Sequence, residues 1–166
     1  MSSGSFRIPG PPSGSLPPAR SSSGSFRAAG SERYRVLVVD DEPLVLLSLK
    51  SVLSDDADLM TCESAERALE LLKDNAFHVV VSDLVLPGMN GNELFRIVRD
   101  LPEYTSCLLI TGSDSYEQPR DKERHYVLLK PFDPERLITL VIQLGRVAQM
   151  KRAVQRLGSS VGGKAV

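Results

Sequence analysis

The sequence predicts an α/β fold in which helices cover a parallel sheet on both faces. Four apolar runs are too short for helices and rich in Val, Ile and Leu; they cover 36–39, 79–81, 108–110 and 127–129. Such runs are typical of strands that are buried on both faces. With 166 residues, of which 42 % are apolar, the chain is long enough for one domain with a proper core.

The first run is followed by two helices with a short strand between them. Pro43 suits the first turn of a helix. The apolar residues of this helix recur at helical spacing at Leu46, Leu49, Val52 and Leu53. A short strand is expected at 59–62. The second helix, over about 64–74, should turn its apolar side inward through Ala65, Ala68, Leu69 and Leu72.

The next segments are less regular. Residues 86–91 form a turn-rich loop, and a helix over about 92–100 is expected to bury Leu94, Ile97 and Val98. The segment 113–125 breaks the amphipathic rhythm and contains a central proline. Any fourth helix in this segment should therefore be short, frayed or missing.

The last helix is predicted to be unusually long. Asp133 and Pro134 suit its N-cap and first turn. One apolar set can cover the sheet, and a second set continues the spacing beyond it: Leu137, Leu140, Val141 and Leu144, then Val147, Met150, Val154 and Leu157. The second set favours a short coiled coil with a second copy. A helix that folds back on its own domain or frays is the alternative.

Charge and composition exclude several classes of protein. All 21 acidic but only 12 of the 20 basic side chains lie between residues 31 and 144, so this stretch has a net charge of −9 and its flanks are basic. Specific nucleic-acid reading needs a concentrated positive face, so it is not expected. No apolar stretch is long enough to span a membrane, and the first residues lack the apolar core of a signal peptide, so neither is expected. Cys62 and Cys107 stand alone in apolar surroundings, which favours buried thiols and a cytoplasmic location.

Polar side chains stand where the apolar runs end. Asp40 and Asp41 follow the first run, Asp83 the second, Thr111 the third and Lys130 the fourth. Ligands of open parallel sheets bind outside the carboxyl ends of the strands, so these side chains should share one cleft. Each also has a simpler interpretation: a helix cap for the acidic pair, a turn residue for Thr111 and a solvated surface charge for Lys130.

Together these residues resemble the receiver domain of bacterial two-component response regulators, the CheY-like family. The resemblance covers about residues 34–145 and rests on the acidic pair, the Asp-x-x-Leu-Pro-Gly-Met-x-Gly phrase that starts at Asp83, Thr111 and the triplet Lys130-Pro131-Phe132. It implies a doubly wound (βα)5 fold with strand order 2-1-3-4-5. It also implies that Asp83 is phosphorylated.

The resemblance implies a role for each site residue. Asp41 and Asp83 would bind Mg²⁺ directly, Asp40 mainly through water, and the backbone carbonyl of Val85 would complete the protein ligands. Lys130 would counter the charge of the phosphoryl group, and the Thr111 hydroxyl would bind it in the product. The position three before the lysine, often an aromatic switch residue in the family, is Val127. Tyr126 precedes it and should point to the opposite face.

The expected layout has four parts. A Ser/Gly/Pro-rich tail at 1–32, with a duplicated Ser-Ser-Gly-Ser-Phe-Arg phrase, should be disordered. The receiver follows at 33–145, an extension of the last helix at 146–158 and a flexible tail at 159–166. The segment after the receiver is too short for a DNA-binding output domain.

The expected function is that of a phosphoacceptor in two-component signalling. The partners would be a histidine kinase or histidine phosphotransfer protein, an unknown output protein and a second copy through the last helix. The protein would catalyse only its own phosphorylation and dephosphorylation. Two alternatives are a receiver excised from a hybrid kinase or larger regulator, and a phosphatase of the haloacid-dehalogenase type, for which Glu42 stands where an Asp is expected.

Overall fold

The computed structural model describes residues 33–112 and 125–161; in the second range, side chains are described from residue 126 to residue 158. Five strands and four helices follow one another along these ranges. The strands are β1 (Tyr34–Val39), β2 (Ala57–Cys62), β3 (Val79–Asp83), β4 (Ser106–Thr111) and β5 (His125–Leu129). The helices are α1 (Pro43–Leu53), α2 (Ala65–Asp74), α3 (Gly91–Arg99) and α4 (Pro134–Val161).

All five strands belong to one sheet with the order β2-β1-β3-β4-β5. Every neighbouring pair is parallel. This confirms the predicted doubly wound sheet, in which the chain starts in the middle and winds first to one edge and then to the other. Because the strands are parallel, their carboxyl ends all lie at one edge of the sheet.

Two apolar layers enclose the sheet. Alternate residues of β1 point to opposite layers, with Val36 and Val38 on one side and Leu37 and Val39 on the other. The first layer packs against α1 and α4, and the second against α2 and α3. The central strands are buried on both faces, which is why they read as continuous apolar runs rather than alternating ones.

The helix starts follow the predicted local signals. Pro43 occupies the first turn of α1, and the Ser64 hydroxyl accepts a hydrogen bond from the Arg67 backbone N–H at the start of α2. Asn90 and Glu93 form a reciprocal capping box at the start of α3. These caps end the preceding loops at defined residues.

One predicted core residue of α3 is wrong. Ile97 is 40 % exposed, whereas Phe95 is buried together with Leu94 and Val98. The buried face of α3 starts at Gly91, whose missing side chain lets the helix approach the backbone of Asp83. With that face fixed by the close approach, Ile97 falls on its flank.

The helix α4 continues well past the sheet. Gly145 lies against the Tyr34 ring, where an added Cβ would be 2.3 Å from the nearest ring carbon. Ala148 and Arg152, about one and two turns further on, are also buried, so this face of the extension contacts the domain. The predicted apolar residues Met150, Val154 and Leu157 are 63–69 % exposed on the opposite face.

Several predictions fall outside the described residues. They concern the tail at 1–32, nearly all of the segment 113–125 and the last residues of the tail at 159–166. His125, the last residue of the middle segment, begins β5. Among the described helices, none combines the length and apolarity that a membrane span requires.

Candidate functional site

The carboxyl edge of the sheet brings four predicted site residues together. Asp40 directly follows β1, Asp83 and Thr111 are the last residues of β3 and β4, and Lys130 directly follows β5. These strands are neighbours in the sheet, and β3 lies between β1 and β4. The fold therefore converts four separate strand ends into one cleft.

The Lys130 ammonium lies between two carboxylates. Its Nζ is 3.5 Å from Asp83 Oδ1 and 3.9 Å from Asp40 Oδ2. A tight hydrogen bond between an ammonium and a carboxylate is roughly 2.7–2.9 Å long, so both contacts are loose ion pairs. The Lys130 side chain is 32 % exposed, which leaves the cation accessible from the solvent.

Asp40 is the most buried carboxylate of the site. Its side chain is 3 % exposed, and Oδ1 accepts a hydrogen bond from the Glu42 backbone N–H at 2.9 Å. Burial raises the pKa of this carboxyl, and the charges of Asp83 and Asp41 add to the rise, whereas the Glu42 N–H and Lys130 oppose it. Ionisation of Asp40 is therefore unfavourable in the folded protein, and a bound cation would make it more favourable.

Asp41 is placed differently from the other two acids. It is exposed at the start of the loop after β1, although its charge reaches Asp40. Within 33–112 and 125–161, no three His, Cys, Asp or Glu side chains are grouped closely enough to form a metal site by themselves. Mg²⁺ commonly keeps several waters and takes only one or two carboxylates from the protein. Asp83 and the exposed Asp41 can supply those two carboxylates, and the buried Asp40 can act through a bound water.

Thr111 is fixed beside Lys130 through the backbone. Its carbonyl accepts a hydrogen bond from the Lys130 N–H at 2.8 Å, and it pairs with Leu129 in the β4–β5 ladder. Asp83 pairs with Ile110, the residue before Thr111. The buried Thr111 thus lies one position beyond the acidic residue on the neighbouring strand.

The loop after Asp83 is closed tightly at its base. The Gly91 N–H donates to the Leu84 carbonyl at 3.1 Å, and a Cβ at Gly91 would lie 2.3 Å from the Asp83 carbonyl oxygen. Gly88 has φ +77°, a conformation that favours glycine. Val85, the predicted source of a carbonyl ligand, is 70 % exposed on this loop.

Sequence reasoning missed one contact with this loop. The Glu66 carboxylate, from the first turn of α2, accepts a hydrogen bond from the Met89 N–H at 3.0 Å. No sequence motif predicts this contact, because it joins residues 23 positions apart on different elements. An acidic residue in a first helical turn is ordinarily explained by the helix dipole alone.

The residues around the predicted switch position lie as expected. Val127 is partly buried against the α2–α3 layer, whereas Tyr126 is 41 % exposed. The two side chains therefore point to opposite faces of β5. The expected burial of the thiols is also confirmed: Cys62 and Cys107 are both buried and free, and burial raises the pKa of Cys62 to about 11.

Comparison with known proteins identifies the family to which this sheet and its sequence belong. Residues 36–142 match the family model of the response regulator receiver domain. The response regulator protein FleR of Pseudomonas aeruginosa is 31 % identical over 115 residues, which cover 64 % of this chain and 24 % of FleR. The DNA-binding response regulator MtrA of Mycolicibacterium smegmatis is 32 % identical over 113 residues, covering 66 % of this chain and 49 % of MtrA. The chain thus spans about a quarter of one relative and about half of the other.

Solved structures give the same result. A signal receiver domain of an HD domain-containing protein from Pseudomonas fluorescens superposes with a TM-score of 0.66 at 26 % identity, over 72 % of this chain and 99 % of that one. The chemotaxis response regulator CheY4 of Vibrio cholerae gives a TM-score of 0.58 at 27 % identity, over 68 % of this chain and 99 % of CheY4. The family match and the fold agree, and the chain belongs to the response regulator receiver domain family.

Proposed function

We propose that this receiver accepts a phosphoryl group on Asp83 from a phosphohistidine. The observation that supports this best is the position of the Lys130 ammonium, which lies 3.5 Å from an Asp83 oxygen and remains partly open to solvent. A cation at that place can counter the charge of an incoming phosphoryl group. Such transfer depends mainly on positioning and electrostatic stabilisation, which these residues provide.

The transfer forms one bond and breaks another. An Asp83 oxygen attacks the phosphorus, the bond between phosphorus and the donor imidazole nitrogen breaks, and that nitrogen takes up a proton. The product is an acyl phosphate on Asp83. Lys130 then shifts its ion pairing from the carboxylate to the phosphoryl oxygens, which is possible because its present contacts are loose.

We propose Mg²⁺ as the cofactor, held by Asp41, Asp83 and the Val85 carbonyl, with Asp40 acting through water. When bound, Mg²⁺ would neutralise negative charge on the phosphoryl oxygens. The chain's own contribution is a set of hard oxygen donors around a buried Asp40 whose pKa is raised by burial and by neighbouring acids. The donor set therefore suits a hard divalent cation.

The proposed partners follow from this chemistry. The donor would be a histidine kinase or a histidine phosphotransfer protein, because both carry phosphohistidine. Thr111 would bind a phosphoryl oxygen through its hydroxyl and draw the end of β4 inward, which changes the surface that an output protein contacts. With Val127 at the usual switch position, this change would not involve an aromatic side chain at that residue.

Mass spectrometry of the intact protein with acetyl phosphate and Mg²⁺ tests the proposal. The wild type should gain one phosphoryl group, and Asp83→Asn should gain none. Asp100→Asn is a matched control, because Asp100 is an exposed residue at the end of α3 and does not belong to the site at the carboxyl ends of the strands. An adduct that forms on Asp83→Asn as readily as on the wild type would contradict the proposal.

A further inference from the structure

The loop between Asp83 and Gly91 is held at three places. At its base, the Leu84 N–H donates to the Ile110 carbonyl and the Gly91 N–H donates to the Leu84 carbonyl, both at 3.1 Å. At its end, Asn90 forms the capping box of α3. At its apex, the Met89 N–H donates to the Glu66 carboxylate.

The apex contact differs from the other two because it comes from another element. Glu66 lies on α2, and within the described ranges it provides the loop's one side-chain hydrogen bond from outside the loop and α3. Its Oε1 also lies close over Gly88, where an added Cβ would be only 2.9 Å away. A single carboxylate thus contacts two consecutive residues at the tip of the loop.

The position of this tip matters for the site. Val85 lies on the same short loop, and its side chain is 70 % exposed, so packing holds it only weakly. Leu86 and Met89 anchor the apolar side of the loop in the α2–α3 layer. The hydrogen bond from the Met89 N–H to Glu66 adds a directional polar contact with α2 to this apolar packing, four residues after Val85 in the chain.

We infer that Glu66 is a positioning residue of the phosphorylation site: its hydrogen bond to Met89 sets the loop that presents the Val85 carbonyl to Mg²⁺. This inference rests on the proposed function for its effect on metal binding. The effect on the loop itself is independent of the metal. Residues that orient a metal ligand without touching the metal commonly change metal affinity by about 10- to 100-fold.

A simpler role must be separated from this one. Glu66 lies in the first turn of α2, where any carboxylate interacts favourably with the helix dipole. Glu66→Gln keeps an oxygen that can accept the Met89 N–H but removes the charge, whereas Glu66→Ala removes both. A dipole effect would make the two variants alike, and a positioning effect would make Gln resemble the wild type.

The experiment follows backbone amide signals, since the chain has no Trp to report binding by fluorescence. In metal-free protein, hydrogen exchange at Met89 should be faster in Glu66→Ala than in the wild type and near normal in Glu66→Gln. In a Mg²⁺ titration, Glu66→Ala should raise the Kd about tenfold, the lower end of the range for such residues, because Glu66 is exposed. Glu66→Gln should stay within about twofold of the wild type on the same reasoning.

Glu70→Ala is the matched control. Glu70 lies one turn further along α2 and pairs with Arg67, so its loss should leave both measurements unchanged. Equal Mg²⁺ affinity in Glu66→Ala and the wild type would overturn the inference, as would equal losses in Glu66→Ala and Glu66→Gln. If Mg²⁺ binds neither the wild type nor any variant, the metal part of the proposed function fails. Exchange at Met89 would still show whether Glu66 holds the loop.

Discussion

Each end of the sheet has a cation, Lys130 at the carboxyl ends of the strands and Arg152 at the amino ends of β3 and β4, and the two cations differ in how closely they are bound. At the carboxyl end, Lys130 lies 3.5 Å and 3.9 Å from two carboxylates and is 32 % exposed. At the amino end, Arg152 is 7 % exposed and bonded on several sides. One cation is loosely held and the other is fixed.

The contacts of Arg152 explain the fixed end. Its Nε donates to the Tyr104 carbonyl at 2.7 Å, and its Nη2 donates to the Phe77 carbonyl and, at 3.3 Å, to the Thr105 hydroxyl. Nη1 pairs with Glu103 at 3.3 Å. Burial lowers the pKa of the guanidinium, and Glu103 opposes this. The segments that lead into β3 and β4 are therefore joined through one side chain of α4.

The difference separates structural charges from functional ones. A buried charge whose partners are all present holds one arrangement, because any movement would leave donors or acceptors unsatisfied. A charge with long contacts and access to solvent can change partners at little cost. By this criterion the carboxyl end is suited to binding and the amino end to stability.

Replacing Lys130 should give the largest functional effect. Lys130→Met removes the cation that, on the proposed function, counters phosphoryl charge, so adduct formation with acetyl phosphate should slow by about 100-fold. Folding stability should change little, since both ion pairs are long. Phosphorylation rates and urea unfolding of the same variant measure both. A large loss of stability with a normal rate would reverse the roles of the two ends.

Replacing Arg152 should give the opposite result. Arg152→Met removes the guanidinium donor from the Tyr104 carbonyl and one of the two donors to the Phe77 carbonyl, which keeps its hydrogen bond from the Thr105 hydroxyl. The free energy of unfolding should therefore fall by about 2 kcal/mol. The phosphorylation rate should stay close to that of the wild type at temperatures where the variant is folded. Arg156→Met is the control, because Arg156 is exposed on the same helix. Equal unfolding midpoints for the two variants would show that Arg152 does not anchor α4.

Asp40 allows a test at the loose end that depends on pH. Its pKa is raised in the folded protein, so the folded state binds its proton more tightly than the unfolded state. The stability that this group contributes is therefore greatest near and below its unfolded pKa, and it declines as pH rises through the raised folded pKa. Asp40→Asn removes the buried charge and keeps an oxygen for the Glu42 N–H.

The expected result is that Asp40→Asn is more stable than the wild type at pH 7, by on the order of 1 kcal/mol. The difference should shrink as the pH falls through the raised pKa of Asp40, because the wild-type carboxyl then becomes neutral. Urea unfolding of both proteins across this range measures it. A variant that is less stable at pH 7 would mean that Lys130 compensates the charge of Asp40 fully.

The smallest effect on stability is expected at the exposed face of α4. Changing Met150, Val154 and Leu157 to Gln together should alter the free energy of unfolding by only a few tenths of a kcal/mol per site, up to about 0.5. If this face pairs with a second copy, as the spacing predicts, the wild type should elute as a dimer at high concentration and the triple variant as a monomer.

Charge on the flanks of this face sharpens the dimer test. In a parallel pair of helices, Arg146 of one copy would lie near Lys151 of the other, and both are exposed cations. The dimer should therefore strengthen when salt screens this repulsion. Identical monomeric elution of both proteins at high salt would count against self-association.

The sequence is sufficient to predict the sheet and the strand-end residues for a physical reason. Buried parallel strands leave continuous apolar runs, and the residues that end them, such as Asp83 and Lys130, are local to those runs. Ile97 was mispredicted because the close approach at Gly91 fixes which side of α3 is buried. The rotation of α3 about its axis depends on contact with a neighbouring strand, so it cannot be inferred from the spacing of apolar residues within α3.

The contacts of Glu66 and Arg152 could not be predicted for a related reason. Both join elements that are distant in sequence, and each has backbone partners, which every residue can provide. A charged residue on a helix is usually solvated, so its type alone does not indicate burial. Arg152 lies on the buried face of α4, one turn after Ala148, but a charged residue at that position reads as the end of the apolar stripe rather than as a buried contact.

The anchor at Arg152 also affects how the chain folds during synthesis. Arg152 and Phe77, which a hydrogen bond joins, are 75 residues apart in the sequence. Arg152 lies ten residues beyond position 142, where the family match ends. All five strands leave the ribosome before Arg152 does. A sheet that forms during synthesis therefore lacks the Arg152 contacts until the last helix has been made. A fragment cut at residue 142 would keep every strand and every strand-end acid, yet it would resemble that nascent state.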